Sequence, residues 1–141
     1  MEEIIDLLKL RKILVKMPEV KLAYLIGSVA TGITRKDSDL DIVLVLEKGA
    51  EKGFDYGKTY LLLEETVNHP NLDLRIATEE TDPLFLFQVT AGNLIYAKNE
   101  AERVCFEAKT MVNFYDTQHL RGIFHHYLNQ RIKEGKYGRA D

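Results

Sequence analysis

The stretch that decides the fold spans residues 25–46 and reads LIGSVATGITRKDSDLDIVLVL. It begins with the end of one apolar segment, continues through an expected turn at Gly27 and Ser28, and ends with a second apolar segment. Asp39 and Asp41 lie at the start of that second segment. Side chains two residues apart on a strand point the same way, with Cα atoms roughly 6.6 Å apart. Carboxylates this close repel each other unless a cation lies between them, and oxygen ligands suit Mg²⁺ or Mn²⁺. The pattern predicts a divalent-metal site, with a solvated strand end as the alternative.

A third carboxylate, Asp73, opens another strand-like segment, LDLRIA at 72–77. If this strand lies beside the strand at 39–46, Asp73 completes a three-carboxylate site of the kind used in two-metal nucleotidyl transfer. Asp73 could also accept the proton of the attacking hydroxyl. The alternative is a surface carboxylate that pairs with Arg75.

Gly27 and Ser28 are the expected phosphate-binding residues. Glycine lets the backbone approach a phosphate closely, and the amides at the start of a following helix point toward an anion. The Ser28 hydroxyl would add one more donor. Because turns contain many Gly-Ser pairs, the weight of this signal comes from its short distance to the carboxylates.

Around this stretch, helical and strand patterns alternate, which predicts an α/β or α+β class in one domain spanning 1–141. Helices are expected over the first sixteen residues, over 51–68, from 82 toward Gly92 and over 100–133, and strands over 20–26, 39–46, 72–77 and 94–97. The expected inner stripe of the last helix comprises Val104, Ala108, Met111, Tyr115, Ile123, Tyr127 and Leu128.

Composition narrows the function classes. The chain has 141 residues and a formal net charge of -3. Because nucleic-acid binding usually needs a positively charged surface, we do not expect direct nucleic-acid binding. Cys105 is the only cysteine, so no intramolecular disulfide can form, and we expect it to be buried. The apolar runs are too short to span a bilayer and no signal-peptide pattern is present, which predicts a cytoplasmic protein without a membrane partner.

The motif Gly-Ser, ten residues, then Asp-x-Asp resembles the signature of the DNA polymerase β-like nucleotidyltransferase superfamily, and the surrounding text resembles its minimal prokaryotic nucleotidyltransferases. The segment LDLRIA falls where that family has its third carboxylate. The resemblance implies a polymerase-β-like fold, with a small mixed β-sheet flanked by helices. It also implies catalytic and metal-binding roles for Asp39, Asp41 and Asp73, and nucleotide binding by Gly27, Ser28 and Ser38.

The same resemblance implies a substrate, a cofactor and a partner. The substrate would be ATP, the cofactor Mg²⁺ or Mn²⁺, and the partner a small helical HEPN-family toxin, on which the antitoxin places AMP at a tyrosine. The chain departs from many minimal members at Thr31, where they have an arginine. Two alternatives stay open: a homodimeric nucleotidyltransferase that modifies a small molecule, and an antitoxin that acts by binding without catalysis. A homo-oligomer is also a possible assembly.

Overall fold

The structure, a computed structural model, describes residues 7–27, 40–67 and 71–133. Within these residues, one mixed sheet has the strand order β3-β2-β1-β4. Its strands are β1 (Val20–Ile26), β2 (Leu40–Leu46), β3 (Leu72–Ala77) and β4 (Asn93–Ala97). The helices are α1 (Leu7–Val15), α2 (Tyr56–Val67), α3 (Pro83–Thr90) and α4 (Glu100–Lys133). The predicted class is confirmed.

The two inner strands, β1 and β2, are antiparallel to each other. The edge strand β4 pairs antiparallel with β1, whereas the other edge strand β3 pairs parallel with β2. The condition on which the role of Asp73 depends, that the third strand lies beside the second, is therefore met. Parallel neighbours need a crossover connection, which here contains α2.

The connection between β2 and α2 differs from the single helix predicted over 51–68. A 3₁₀ turn at Ala50–Gly53 comes first, and α2 begins only at Tyr56. The reason is a local cap: the Asp55 side chain accepts a hydrogen bond from the backbone N–H of Lys58 at 3.0 Å. Such a cap satisfies a first-turn amide that has no partner within the helix, and so fixes where the helix starts.

Helices cover both faces of the sheet. On one face, Ile42 and Leu44 of β2 belong to a buried cluster shared with α1 and α2. On the other face, Val43 and Val45 belong to a cluster shared with α3 and α4. Strand β2 is therefore apolar on both sides, as its sequence predicts. None of the described helices combines the length and apolar character that a membrane span requires.

The inner face predicted for α4 is wrong. The residues that α4 buries are Phe106 and Thr110. Of the seven side chains expected inside, Leu128 is partly buried and Ala108 is exposed. The other five are at least half exposed: Val104 50%, Met111 52%, Tyr115 57%, Ile123 55% and Tyr127 53%. Cys105, expected to be buried, is exposed as well. A helical period shows that a helix has an apolar side, but it does not identify the surface that this side contacts.

A largely buried ion pair links β1 to the segment after β3. The Lys21 side chain is 10% exposed, and its Nζ lies 2.8 Å from the Glu79 carboxylate. This hydrogen bond holds the pKa of Glu79 below its usual range. A buried ammonium group without its partner is costly, so the pair should contribute to stability at neutral pH.

We expect Glu79→Gln to lower the free energy of unfolding by about 1–3 kcal/mol at pH 7. Since the folded-state pKa of Glu79 is depressed, its contribution is present above the unfolded-state pKa and is lost as pH falls through the folded-state pKa. Urea unfolding should be measured at pH 7 and in the acid range. The free energies of unfolding of the wild type and the Glu79→Gln variant should become equal at low pH. The exposed neighbour Glu80 provides the control, because Glu80→Gln should change stability by less than about 0.5 kcal/mol. A loss that stays constant with pH would contradict this role.

Candidate functional site

Two of the predicted carboxylates lie side by side on the parallel strands. Asp41 of β2 is in register with Asp73 of β3. Neighbouring strands lie about 4.8 Å apart, and residues in register share a face of the sheet, so both carboxylates stand on the α3/α4 face. Asp41 is partly buried, and the Asp73 side chain is 43% exposed. The site is therefore open enough for a polar ligand to reach it.

The glycine at the end of β1 touches this site. Gly27 has a φ of 86° and follows Ile26, which is paired with Asp41. A Cβ atom on Gly27 would lie 2.5 Å from Oδ2 of Asp41, closer than a Cβ atom approaches a non-bonded atom in real proteins. Both the left-handed backbone and the absent side chain are thus required at this position.

The closeness of Gly27 to the Asp41 carboxylate favours a metal ion at this position. A phosphate brought to the Gly27 backbone would meet the Asp41 carboxylate, and the two negative charges need a cation between them. The paired Asp41 and Asp73 supply the hard oxygen donors that Mg²⁺ and Mn²⁺ prefer. The chemistry of the donor set therefore fits such a cation.

The surface pairing considered for Asp73 is present. Its Oδ2 lies 3.3 Å from Nε of Arg75, with the two side chains 43% and 52% exposed. The Arg75 guanidinium also lies over the ring of Phe85 on α3, 5.7 Å from its centroid. An exposed pair of this kind contributes at most about 1 kcal/mol, so it leaves Asp73 available to a ligand.

The remaining predicted site residues, Asp39, Ser28 and Ser38, lie outside the described residues, as does Thr31. Within 7–27, 40–67 and 71–133, no three His, Cys, Asp or Glu side chains converge on a metal position. The described part of the chain thus contributes Gly27, Asp41 and Asp73 to the candidate site, and brings these three together.

Sequence reasoning missed the residues that hold the strand bearing Asp73. On α2, the Tyr60 hydroxyl donates to the carbonyl oxygen of Leu72 at 3.2 Å, and the Tyr56 hydroxyl donates to that of Leu74 at 2.5 Å. The two tyrosine rings stack with centroids 6.3 Å apart. Their four-residue spacing on a helix was the available signal, because it places both side chains on one face.

One known protein family matches most of the described core of this chain. The family model for polymerase beta nucleotidyltransferases matches residues 8–101, which span the sheet and the three residues of the site. No curated protein matches this chain.

Solved structures show the same fold. A chain of a toxin-antitoxin crystal structure with AMP-PNP is 18% identical, with a TM-score of 0.60, over 88% of this chain and 98% of that chain. A mutant MntA-HepT toxin-antitoxin complex gives 19% identity and a TM-score of 0.62, over 88% of this chain and 98% of that chain. A chain of the complex between the tri-AMPylated HEPN toxin of Shewanella oneidensis and its MNT antitoxin is 18% identical. The TM-score is 0.56, and the match covers 88% of this chain and 95% of that chain.

Proposed function

Because the chain belongs to the polymerase beta nucleotidyltransferase family, we propose that it transfers AMP from ATP to a protein hydroxyl in a reaction that requires Mg²⁺ or Mn²⁺. The observation that carries this proposal is the register of Asp41 with Asp73, directly beside the left-handed Gly27. A phosphate-binding turn and paired carboxylates are the two halves of a site for a metal-bound nucleotide. We place the reaction in the cytoplasm, where ATP is available.

Each site residue has a role in this proposal. Asp39, Asp41 and Asp73 would hold the cation, which when bound stabilises charge on the phosphates and lowers the pKa of the acceptor hydroxyl. The Gly27 backbone, together with Ser28 and Ser38, would bind the phosphate oxygens. The ion pair with Arg75 would orient the Asp73 carboxylate.

The transfer is a displacement at the α-phosphorus of ATP. The acceptor oxygen forms a bond to that phosphorus, while the bond from phosphorus to the oxygen of the β-phosphate breaks. Pyrophosphate leaves, and the acceptor is left with AMP in a phosphodiester. The hydroxyl proton passes to Asp73, whose partial exposure lets the acceptor reach it.

The proposed acceptor is a tyrosine of a HEPN-family toxin encoded beside this chain. Support comes from the solved complexes of similar fold, one with AMP-PNP and one with a tri-AMPylated HEPN toxin. It also comes from the openness of the site, since an exposed Asp73 cannot by itself exclude water from a small acceptor. A docked protein would exclude water and position its hydroxyl.

Incubation of the purified chain with the neighbouring HEPN protein, ATP and Mg²⁺ tests the proposal. Intact-mass spectrometry should show AMP units on the HEPN protein, and peptide mapping should place them on tyrosine. Omission of the divalent cation should prevent the transfer. Tight binding without a mass change would instead indicate an antitoxin that acts by contact, and rapid modification of a small molecule without the partner would indicate a small-molecule enzyme.

A further inference from the structure

Strand β3 carries Asp73 at an edge of the sheet, where β2 is its one neighbour in the described strand order. The pleat of a strand turns successive carbonyl groups to opposite sides. The carbonyl oxygen of Asn71 points toward β2, because it accepts a hydrogen bond from the backbone N–H of Leu40 at 2.8 Å. The carbonyl groups of Leu72 and Leu74, on either side of Asp73, therefore point away from β2, out of the sheet edge.

These two outward carbonyl groups are the ones that accept hydrogen bonds from the tyrosines of α2. Tyr60 donates to Leu72 and Tyr56 donates to Leu74. An edge strand otherwise leaves such groups without a partner in the sheet, so the two hydroxyls replace a missing neighbouring strand. As a result, β3 is held by β2 on its inner side and by α2 on its outer side, at the residues next to Asp73.

The tyrosines are themselves fixed to the core. Thr59 is 5% exposed, and its hydroxyl donates to the carbonyl oxygen of Asp55 at 2.8 Å. The Asp55 carboxylate caps the same first turn of α2. Tyr60 packs against the buried cluster between α2 and the sheet, and its ring stacks on that of Tyr56. The two hydroxyl groups therefore have defined positions from which to hold β3.

We propose that Tyr56 and Tyr60 are positioning residues for AMP transfer, which fix the Asp73 carboxylate relative to Asp41 through the edge of β3. This inference rests on the proposed function, in which the two carboxylates share a cation and Asp73 receives the proton of the acceptor. A displacement of about 1 Å at a catalytic group can lower a rate about 100-fold. Gly27, the expected phosphate contact, follows β1 and should keep its position when the tyrosine hydroxyls are removed.

The other edge of the sheet provides a comparison. Nε of Arg11, on α1, donates to the carbonyl oxygen of Ile95 on β4 at 2.7 Å. This bond is of the same kind, from a helix side chain to an edge strand, but β4 carries none of the predicted site residues. Protection of an exposed edge from pairing with other chains would apply to both edges alike. A role in positioning applies only to the bonds beside Asp73.

The test variant combines Tyr56→Phe with Tyr60→Phe, which removes both hydroxyl groups and keeps both rings. Arg11→Met, which removes the bond to β4, is the matched control. At saturating ATP and HEPN partner, we expect the turnover of the double variant to fall about 10-fold or more, with a KM for ATP within about 3-fold of the wild type. The control should keep the turnover of the wild type. Circular dichroism at the assay temperature would verify that each variant is folded.

Three results would overturn the inference. The first is wild-type turnover in the double variant, and the second is a KM for ATP that rises as much as turnover falls. The third is an equal loss of turnover in Arg11→Met or in Glu79→Gln, which is expected to destabilise the fold away from these bonds. Lower stability would then be a sufficient explanation of the loss.

The NMR resonance of the Asp73 carboxyl carbon gives a readout that needs no transfer. We expect it to shift in the double variant and to stay unchanged in Arg11→Met. If the wild type transfers AMP, turnover decides, and unchanged turnover in the double variant refutes the positioning role while the proposed function stands. If the wild type transfers no AMP, the proposed function fails. A shifted resonance then still supports the positioning of Asp73, and an unshifted one overturns that as well.

Discussion

Asp41→Asn is expected to lower the rate of AMP transfer by about 10³-fold or more, because it removes a charge from the centre of the site at nearly constant shape. Asp41 lies between Gly27 and Asp73, so its carboxylate is next to both the proposed phosphate-binding turn and the second carboxylate. Initial rates with α-labelled ATP and a HEPN partner would measure the loss.

The fold should tolerate the same change. Like charges on directly paired strand positions are destabilising, so removing one can raise the free energy of unfolding by up to about 1 kcal/mol. Thermal unfolding should therefore show a melting temperature equal to or above that of the wild type. Asp116→Asn, at an exposed position of α4, is the control and should keep full activity. An Asp41→Asn protein with wild-type rates would remove Asp41 from the mechanism.

Gly27→Ala is expected to have the second-largest effect, with activity reduced by about 10²-fold or more. The new methyl group would meet Asp41 Oδ2 at 2.5 Å, so the carboxylate or the turn must shift. A displacement of about 1 Å at a catalytic group is enough for a loss of this size. Alanine in the left-handed region adds a stability cost of about 1–2 kcal/mol.

Gly49 offers a control with the same backbone strain and no steric clash. Its φ is 82°, and a Cβ atom there would meet nothing within 4 Å. Gly49→Ala should therefore lose a similar free energy of unfolding while its transfer rate stays near that of the wild type. Equal activities for the two variants would show that the contact between Gly27 and Asp41 has no part in the reaction.

The sequence predicted the architecture of the site because the relevant signals are local. The runs of Val, Ile and Leu in β2 indicated a strand buried on both faces, and the structure confirms it. The strand patterns identified the β3 segment, but its position beside β2 was only the condition for a role of Asp73. The structure meets that condition and puts Asp41 in register with Asp73. The roles of Asp39, Ser28 and Ser38 stay predictions.

Features that depend on tertiary contacts could not be predicted in the same way. The apolar stripe of α4 was recognised, but the choice of inner face failed because Phe106 and Phe114 meet Tyr24 and Phe87, residues distant in sequence. The hydrogen bonds from Tyr56 and Tyr60 to β3 were missed for the same reason. The spacing of apolar residues along a helix is the same whether that side packs on the protein's own sheet or faces another molecule.

The parallel pairing of β2 with β3 also has a consequence for folding kinetics. Strand β3 can join the sheet only after the chain from 47 to 71, including α2, has crossed over. Contacts between segments so far apart form late, because the entropy of loop closure is lost before any contact compensates it. An intermediate that has formed only β1 and β2 already holds Gly27 against Asp41 but lacks Asp73. Enzymatic competence would therefore arise only when β3 docks, and partly folded chains that lack β3 would be inactive.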